Sequence, residues 1–386
     1  MSDIPVRLIP GDSESEQPED APALCLSGGG YRAMVFHIGA LWRLYDSGWL
    51  GRLQRISSVS GGSITAGFLG LQWSQLSFAP GTVQSEFVPK VVAPLRALAA
   101  TTIDIPAVIL GLLLPGGVAG RIAKAYDAAL FGGKTLQDLP DGPRFVINAT
   151  NMQSTVLWRF SKPYMWDYRV GEVKSPTLPL AQAVAASSAF PPVLSPARLS
   201  LNNADFVPNT GTDLQRPPFT TEVILTDGGV YDNLGLETAW KRYKTILVSD
   251  AGGRTAAEES PPTDWLRQAY RVLNLINSQV RALRIRQLID SYQRGADNPQ
   301  DPTGRNGAYW GIRADIAEYH LHDALPCPLP RTIELANLAT RLARLDSLTQ
   351  ERLINWGYAI TDAALRKYVD PSLPPPQGFP YPQAGV

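Results

Sequence analysis

Apolar residues along this chain fall into two kinds of pattern, which alternate. Continuous apolar runs such as residues 23–26 are typical of buried strands. Beyond a stretch of three glycines, apolar side chains recur with the spacing of one helical face, at Met34, Ile38, Leu41 and Tyr45. This part of the chain therefore predicts a strand, a tight loop and a helix.

The same alternation continues towards the end of the chain. Further strands are predicted at residues 55–59, 145–150, 155–160, 223–226, 245–249 and 308–312. Further helices are predicted at residues 61–70, 264–294 and 349–368. Short strands that alternate with helices predict an α/β fold with a mainly parallel central sheet.

Both ends of the chain differ in composition from its middle. Residues 1–20 are acidic and contain proline, and residues 370–386 are rich in proline, so we expect both flanks to be disordered. Residues 21–369 predict one folded domain, with a helical extension from about residue 264.

Charge and cysteine content narrow the class of protein. The chain has 35 basic and 35 acidic residues, so no field of one sign is available to bind a nucleic acid. Cys25 falls in a predicted strand far from Cys327, which disfavours a disulfide framework and indicates a reducing compartment. Residues 1–20 lack the pattern of a secretory signal, so we expect a cytoplasmic protein; export by machinery that reads no N-terminal signal stays open.

One apolar stretch, residues 105–114, bears on membrane contact. It is far shorter than the ~20 residues needed to span a bilayer, and it contains Pro106. We therefore predict no transmembrane span. An interfacial lid and a buried helix are equally compatible with this stretch.

A candidate nucleophile lies where the second predicted strand ends. Ser60 is followed by Gly61 and Gly62, and a serine on such a sharp turn into a helix holds its hydroxyl clear of the backbone. The usual nucleophile elbow has glycine two residues before the serine, whereas this chain has Ser58. We predict that Ser60 attacks an ester carbonyl.

The glycine loop after the first strand is a candidate oxyanion hole. The amides of Gly28, Gly29 and Gly30 are predicted to bind the negative charge that develops on the carbonyl oxygen. The Gly61 amide is predicted to complete the hole. The loop opens a helix whose dipole favours an anion, and the nearby cation Arg32 is a candidate substrate-binding residue.

The same loop has the spacing of a dinucleotide-binding fingerprint at Gly28, Gly30 and Ala33. Such a loop needs an acidic residue at the end of the second strand to bind the ribose. Residues 49–84 contain no Asp or Glu, and Asp46 falls in the first predicted helix. Nucleotide binding is therefore disfavoured.

A candidate base lies at the tip of another apolar strand. Asp227 follows residues 223–226 and precedes two glycines. In a parallel sheet this strand end lies on the same edge as the elbow and the glycine loop. We predict that the Asp227 carboxylate accepts the Ser60 proton.

Together these motifs resemble the patatin-like phospholipases. Residues 27–33, 58–62 and 227–229 are similar to that family's oxyanion loop, nucleophile elbow and Asp-Gly-Gly motif, in the same order and with the same wide separation. Residues 185–192 are similar to the family's Ala-Ser-x-Ala-x-Pro segment, which shapes the wall between elbow and aspartate. The resemblance extends over about residues 21–253.

The resemblance implies a three-layer α/β/α fold and a Ser60–Asp227 dyad that forms an acyl-enzyme. It implies a phospholipase or lipase that cleaves lipid esters during transient contact with a membrane or micelle, with no cofactor and no catalytic metal. By analogy with related cytosolic phospholipases, Arg32 would assist at the reacting or phosphate end of the substrate.

Several alternatives stay open. A Ser-Asp-His triad would use His320 or His322, which follow Ser60 and Asp227 in the chain order of α/β-hydrolases, whereas His37 is expected to be a core or supporting residue. A thioesterase or a hydrolase of soluble esters would have no membrane role. A lipid-binding module would keep the fold without turnover.

Overall fold

The computed structural model describes residues 18–79, 81–104 and 117–386, so the apolar stretch at 105–114 lies outside the described residues. Each strand predicted from an apolar run is present. β5, β6 and β7 were not predicted, because each has only four residues and lacks an apolar run. The strands are β1 (Glu19–Leu26), β2 (Arg55–Val59), β3 (Arg144–Asn151), β4 (Leu157–Phe160), β5 (Tyr164–Asp167), β6 (Gly171–Lys174), β7 (Ala197–Ser200), β8 (Glu222–Asp227), β9 (Tyr243–Asp250) and β10 (Asn306–Gly311).

These strands form one mixed sheet in the order β10-β9-β1-β2-β3-β4-β5-β6, with β8 paired to β3 and β7 to β8. The pairings from β10 to β3 are parallel. The remaining pairings are antiparallel. From β3 to β6 this follows from the connections, which are too short to hold a crossover helix. The predicted α/β class is confirmed, but only one half of the sheet is parallel.

The strands that lead to Ser60 and Asp227 run towards each other. β2 pairs with β3 in parallel and ends with Val59 opposite Asn148. β8 is antiparallel to β3 and ends with Asp227 opposite Ala149. Since β4 pairs with the other edge of β3, β2 and β8 lie end to end along one edge. The predicted proximity is present, but it arises from two opposed strands rather than from two parallel strand tips.

Helices cover both faces of the sheet. Side chains alternate along β1, so Leu24 and Leu26 join the larger core with α1 and α10, whereas Ala23 and Cys25 join a smaller core with α7 and α8. This is the three-layer arrangement that was expected. The helices are α1 (Gly30–Asp46), α2 (Gly61–Gln72), α3 (Ala93–Ala99), α4 (Gly117–Tyr126), α5 (Leu180–Ser187), α6 (Gly229–Asp232), α7 (Glu237–Trp240), α8 (Trp265–Asp297), α9 (Leu329–Ala336) and α10 (Ser347–Tyr368).

The last third of the chain completes the sheet and its cover, and is therefore more than the expected helical extension. β10 extends the parallel half of the sheet at β9. α10 packs closely on α1, since a methyl group on Gly39 would lie 2.0 Å from the Ile354 carbonyl oxygen. On the opposite helix, a methyl group on Gly357 would lie 2.0 Å from the Phe36 carbonyl oxygen.

Residues 370–386 pack against the folded body, contrary to the predicted disorder. The Asn355 side-chain amide on α10 donates to the carbonyls of Tyr381 and Gly385 at 2.8 Å each, and accepts from the Tyr381 N–H at 3.0 Å. The Tyr381 ring meets Trp42 edge to face, with ring centroids 5.9 Å apart. At the other end, β1 begins within the segment predicted to be disordered.

Candidate active site

Ser60 occupies a strained turn between β2 and α2. Its φ of 53° and ψ of −120° lie outside the regions favoured by residues that carry a side chain. Ser60 is the N-cap residue of α2, yet its side chain makes no capping hydrogen bond. The hydroxyl therefore stays available at the positive end of the helix dipole, in a residue that is 7% exposed.

Three buried serines support this turn. Ser187, the last residue of α5, accepts a hydrogen bond from the Ser60 N–H at 2.9 Å and donates to the Asn148 carbonyl at 2.6 Å. The Ser63 Oγ lies 2.9 Å from the Ser187 Oγ and donates to the Ser58 Oγ at 3.0 Å. Ser58, where the usual elbow has glycine, therefore belongs to the hydrogen-bond network that holds the turn.

Replacing Ser187 by alanine removes the acceptor of a buried N–H. We expect the free energy of unfolding to fall by about 1–3 kcal/mol and kcat for ester hydrolysis to fall about tenfold, because the Ser60 turn loses its support. Denaturant unfolding and steady-state kinetics measure the two effects. Ser187→Thr keeps the hydroxyl and should restore most of kcat. An unchanged kcat in Ser187→Ala would show that this network does not position Ser60.

Asp227 ends β8 beside this turn and is 2% exposed. Its Oδ1 accepts from the Gly229 N–H at 2.7 Å, whereas Oδ2 has no hydrogen-bond partner of ordinary geometry among the described residues. Burial raises the pKa of the carboxyl from 3.8 to about 7, although the Gly229 amide and the Ser60 hydroxyl both lower it. A carboxyl with a pKa near neutrality beside a serine has the property required of a general base.

The N-termini of α1 and α2 meet next to Ser60. Gly29 caps α1 with a φ of 146°, and Gly30 follows with a φ of 60°, values that favour glycine. The two helices touch here, since a methyl group on Gly61 would lie 2.2 Å from the Gly30 carbonyl oxygen. The amides of Gly29, Gly30 and Gly61 have no acceptor among the described residues outside their own helices, so they can donate to an anion.

Gly28 differs from the other glycines of the predicted oxyanion hole. Its N–H donates to the Asn233 carbonyl at 3.1 Å, so this donor is already used within the protein. Glycine is needed at this position for space, because a methyl group here would lie 2.5 Å from the Asn233 Oδ1 and 3.1 Å from the Ser60 Cβ. The structure thus corrects the prediction that the Gly28 amide binds the oxyanion.

Arg32 connects two loops behind the glycines. Its guanidinium donates to the carbonyls of Ala251 and Leu338 and to the Thr340 hydroxyl. Burial lowers the pKa of this group to about 10. Arg32 is not among the described residues that line the cavity, contrary to its predicted contact with substrate. Its donors are used within the protein, where they fasten the glycine loop to the end of β9.

The three histidines lie apart from the serine and the aspartate. His320 and His322 are exposed, and no histidine of the described chain forms a hydrogen bond with Ser60 or Asp227. His37 is buried, with Nε2 2.9 Å from the Ser27 carbonyl and Nδ1 2.9 Å from the Ser249 hydroxyl. Because a carbonyl only accepts, Nε2 carries the proton, and burial lowers the pKa of His37 to about 4. His37 is a core residue, as expected.

Ser60 and Asp227 open into a cavity of about 1130 Å³. Residues 188–194 form one wall, which includes part of the segment predicted to shape it, and α8 and residues 339–342 form the others. The volume slightly exceeds the usual range for small-molecule sites, so the cavity has room for a large ligand. The cavity also contains guanidinium groups, from Arg254, Arg267, Arg271, Arg281 and Arg341.

Two supporting residues were not predicted individually from the sequence. Ser187 lies within the segment 185–192, where a serine among alanines next to a predicted site was the available signal. Asn233 follows Asp227 by six residues and had no such signal. Its contact with Gly28 depends on the turn that leads through α6 back to the glycine loop.

The sequence model of the patatin-like phospholipase family matches residues 24–240, which is more than half of the chain. The matched region contains the glycine loop, the Ser60 turn and Asp227. The chain belongs to the patatin-like phospholipase family. No curated protein sequence matches it.

Two solved structures illustrate the similarity in fold. Human GIVD cytosolic phospholipase A2 is 14% identical, with a TM-score of 0.53 over 92% of this chain and 62% of that chain. The present chain therefore spans less than two thirds of that enzyme. VipD from Legionella pneumophila is 16% identical over 90% of this chain and 68% of that chain, with a TM-score of 0.34. The first superposition supports the fold, and only the fold.

Proposed function

We propose that the protein is a lipid acyl hydrolase that cleaves carboxylic esters with Ser60 as nucleophile and Asp227 as base. The observation that carries the proposal is the meeting of a strained serine and a buried carboxyl of raised pKa at a large cavity. Membership of the patatin-like phospholipase family supports a lipid substrate. A histidine is not needed, because Asp227 titrates near neutrality without one.

In the first half of the reaction, the Ser60 Oγ attacks the ester carbonyl carbon while its proton passes to Asp227. The carbonyl oxygen becomes negative and accepts hydrogen bonds from the amides of Gly29, Gly30 and Gly61. The tetrahedral intermediate then collapses. The bond to the leaving alcohol breaks, Asp227 gives its proton to that alcohol oxygen, and the acyl group remains on Ser60.

In the second half, a water molecule attacks the acyl-enzyme and gives a proton to Asp227. The same amides bind the oxyanion again. The bond from the acyl carbon to the Ser60 Oγ breaks, and the proton returns from Asp227 to that oxygen. The free fatty acid leaves and the resting dyad is restored, so protons and electron pairs balance over the cycle.

The test compares fatty acid release from mixed phospholipid vesicles with hydrolysis of a short-chain nitrophenyl ester. We expect turnover of both. Replacing His320 and His322 together by alanine should leave kcat within about twofold, because both side chains are exposed and neither is among the described residues that line the cavity. A large loss in that double variant would replace the dyad by a triad.

Two other functions give different results in the same experiment. A hydrolase of soluble esters or thioesters would turn over the short ester and release no fatty acid from vesicles. A lipid-binding module would bind vesicles and turn over neither substrate. The buried Asp227 carboxyl with its raised pKa beside Ser60 favours the enzyme, because such a group is typical of catalytic sites.

A further inference from the structure

The long helix α8 carries an exposed apolar stripe. Its residues follow one another at steps of four and three, and most are highly exposed: Trp265 (79%), Val272 (48%), Ile276 (53%) and Leu283 (58%), with Ala269 and Gln279 between them. Leu275, beside the stripe, is 54% exposed. Neither α8 nor any other described helix is long and apolar enough to cross a membrane. The exposed fractions of its side chains place the stripe on the surface of the described protein.

The opposite face of α8 is held by the folded body. Arg281 pairs with the buried Asp250 at the end of β9, at 2.6 Å. Further along, Leu288 is fully buried, and the Tyr292 hydroxyl donates to the Ile246 carbonyl at 2.7 Å. These contacts fix the rotation of the helix about its axis. The stripe faces outwards because the other face is anchored.

At its N-terminal end, the stripe adjoins the mouth of the cavity. Leu266 and Tyr270 line the cavity, yet they are 59% and 44% exposed. Trp265 precedes them on the same turn. On the facing wall, Val193 also lines the cavity and is 53% exposed. Apolar surface thus continues from the stripe into the cavity, which is the route an acyl chain needs.

The charges of α8 favour an anionic surface as the partner. Residues 265–289 contain five arginines and no acidic residue, and the exposed Asp264 and Asp290 flank this span. Arg271, Arg281 and Arg284 are paired with carboxylates of the body. Arg267 and Arg286 are exposed near the two ends of the stripe, and Arg267 lies 3.7 Å from Asp264 in an exposed ion pair.

A second copy of the chain fits this stripe less well. The four-three spacing is that of a coiled coil, but Ala269 and Gln279 would then occupy core positions. Two copies of α8 would also bring arginines together without any acid between residues 265 and 289 to offset them. In an anionic bilayer, the apolar stripe can insert at the boundary of the acyl chains while the arginines contact the negatively charged head groups.

We propose that the outer face of α8 is the surface by which the protein docks on an anionic phospholipid bilayer, an inference that rests on the proposed function. Trp265 and its neighbours lie in the interface and bring the cavity mouth to the lipid. The substrate class that follows is a phospholipid presented in a negatively charged membrane.

The test uses the full chain with Ser60→Ala, so that binding is measured without hydrolysis. Sucrose-loaded vesicles of phosphatidylcholine with phosphatidylglycerol are sedimented with the protein. Val272→Glu combined with Ile276→Glu should weaken the partition about tenfold or more. Leu348→Glu is the control, since Leu348 is 46% exposed on α10, outside the stripe, and the change should leave the partition unchanged.

A second variant tests the charge independently of the stripe. Arg286→Gln should weaken partition about fivefold on vesicles that contain phosphatidylglycerol and leave it unchanged on pure phosphatidylcholine. Equal binding by the Val272→Glu/Ile276→Glu variant and the parent would overturn the proposal. Sedimentation velocity gives a second outcome that would overturn it. In that outcome the parent is a dimer, the variant is a monomer, and both bind vesicles equally.

Folding and catalysis are monitored separately. With Ser60 present, the double variant should hydrolyse the soluble nitrophenyl ester as the parent does, because neither residue lines the cavity. If that hydrolysis is lost, Val272→Gln with Ile276→Gln repeats the vesicle measurement with a milder change. A parent that binds vesicles but hydrolyses neither substrate would contradict the proposed function and leave the docking surface intact.

Discussion

Ser60→Ala is expected to lower the rate of ester hydrolysis by at least about 10³-fold on both phospholipid vesicles and a short-chain ester. The variant lacks the oxygen that forms the acyl-enzyme, whereas the oxyanion amides and the cavity remain. Fatty acid release and nitrophenol absorbance measure the loss. Binding to vesicles should be retained, because Ser60 makes no contact that supports α8.

The matched control is Ser85→Ala, the same change at an exposed serine that does not line the cavity, and it should leave both rates unchanged. The free energy of unfolding should change little in Ser60→Ala, because alanine keeps the Cβ and the Ser60 side chain makes no capping hydrogen bond in the turn. Residual activity above a few per cent in Ser60→Ala would mean that another residue is the nucleophile.

Asp227→Asn should lower kcat by about 10³-fold, because an amide cannot accept the serine proton. In the unmodified protein, kcat/KM should rise as pH increases towards about 7 and level off above it, since only the ionised carboxylate accepts a proton. The residual activity of Asp227→Asn should lack this rise. A pH profile that is flat around 7 in the unmodified protein would contradict the role of Asp227.

The same variant should be more stable than the unmodified protein at alkaline pH. In the folded protein the pKa of Asp227 lies above its ordinary value of 3.8. The protonated carboxyl therefore contributes its full stability below pH 3.8, and this contribution is lost as the pH rises to about 7. A rise in pKa to about 7 corresponds to about 4 kcal/mol, as an upper estimate. Denaturant unfolding should show a larger gain for Asp227→Asn at pH 8 than at pH 5. Equal gains at both pH values would show that the carboxyl is not buried as described.

Strong local patterns made most of the sheet predictable. The apolar runs that became β3, β8 and β9 were evident because a strand buried on both faces has few polar residues. β5 and β6 were not evident, since they lie at one edge of the sheet and have mixed side chains. Strand direction also escaped prediction, because no residue in β8 shows that it runs against β3.

The sequence identified the residues that gather at the site better than it identified what each of them contacts. Ser60, Asp227 and the glycines stand at turns whose local sequences are distinctive, and the fold brings them together. The side chain of Arg32 could not be oriented from the sequence, because its acceptors belong to segments more than 200 residues away. The contact between Gly28 and Asn233 is equally remote in sequence.

The C-terminal tail shows the limit of composition as a guide. Its prolines are typical of extended segments, but one tyrosine, Tyr381, packs against Trp42 and is held by Asn355. Such anchoring depends on a groove formed elsewhere in the chain. The tail sequence alone therefore could not predict it.

The central claim, that Ser60 is the nucleophile and Asp227 its base, is tested most directly by a long-chain alkyl fluorophosphonate. The serine oxygen displaces fluoride from phosphorus, and the mass of the intact protein followed by peptide mapping locates the adduct. The account predicts a single adduct, on Ser60, which forms much more slowly in Asp227→Asn and not at all in Ser60→Ala. An adduct on another residue, or labelling of Ser60 at an unchanged rate in Asp227→Asn, would contradict it.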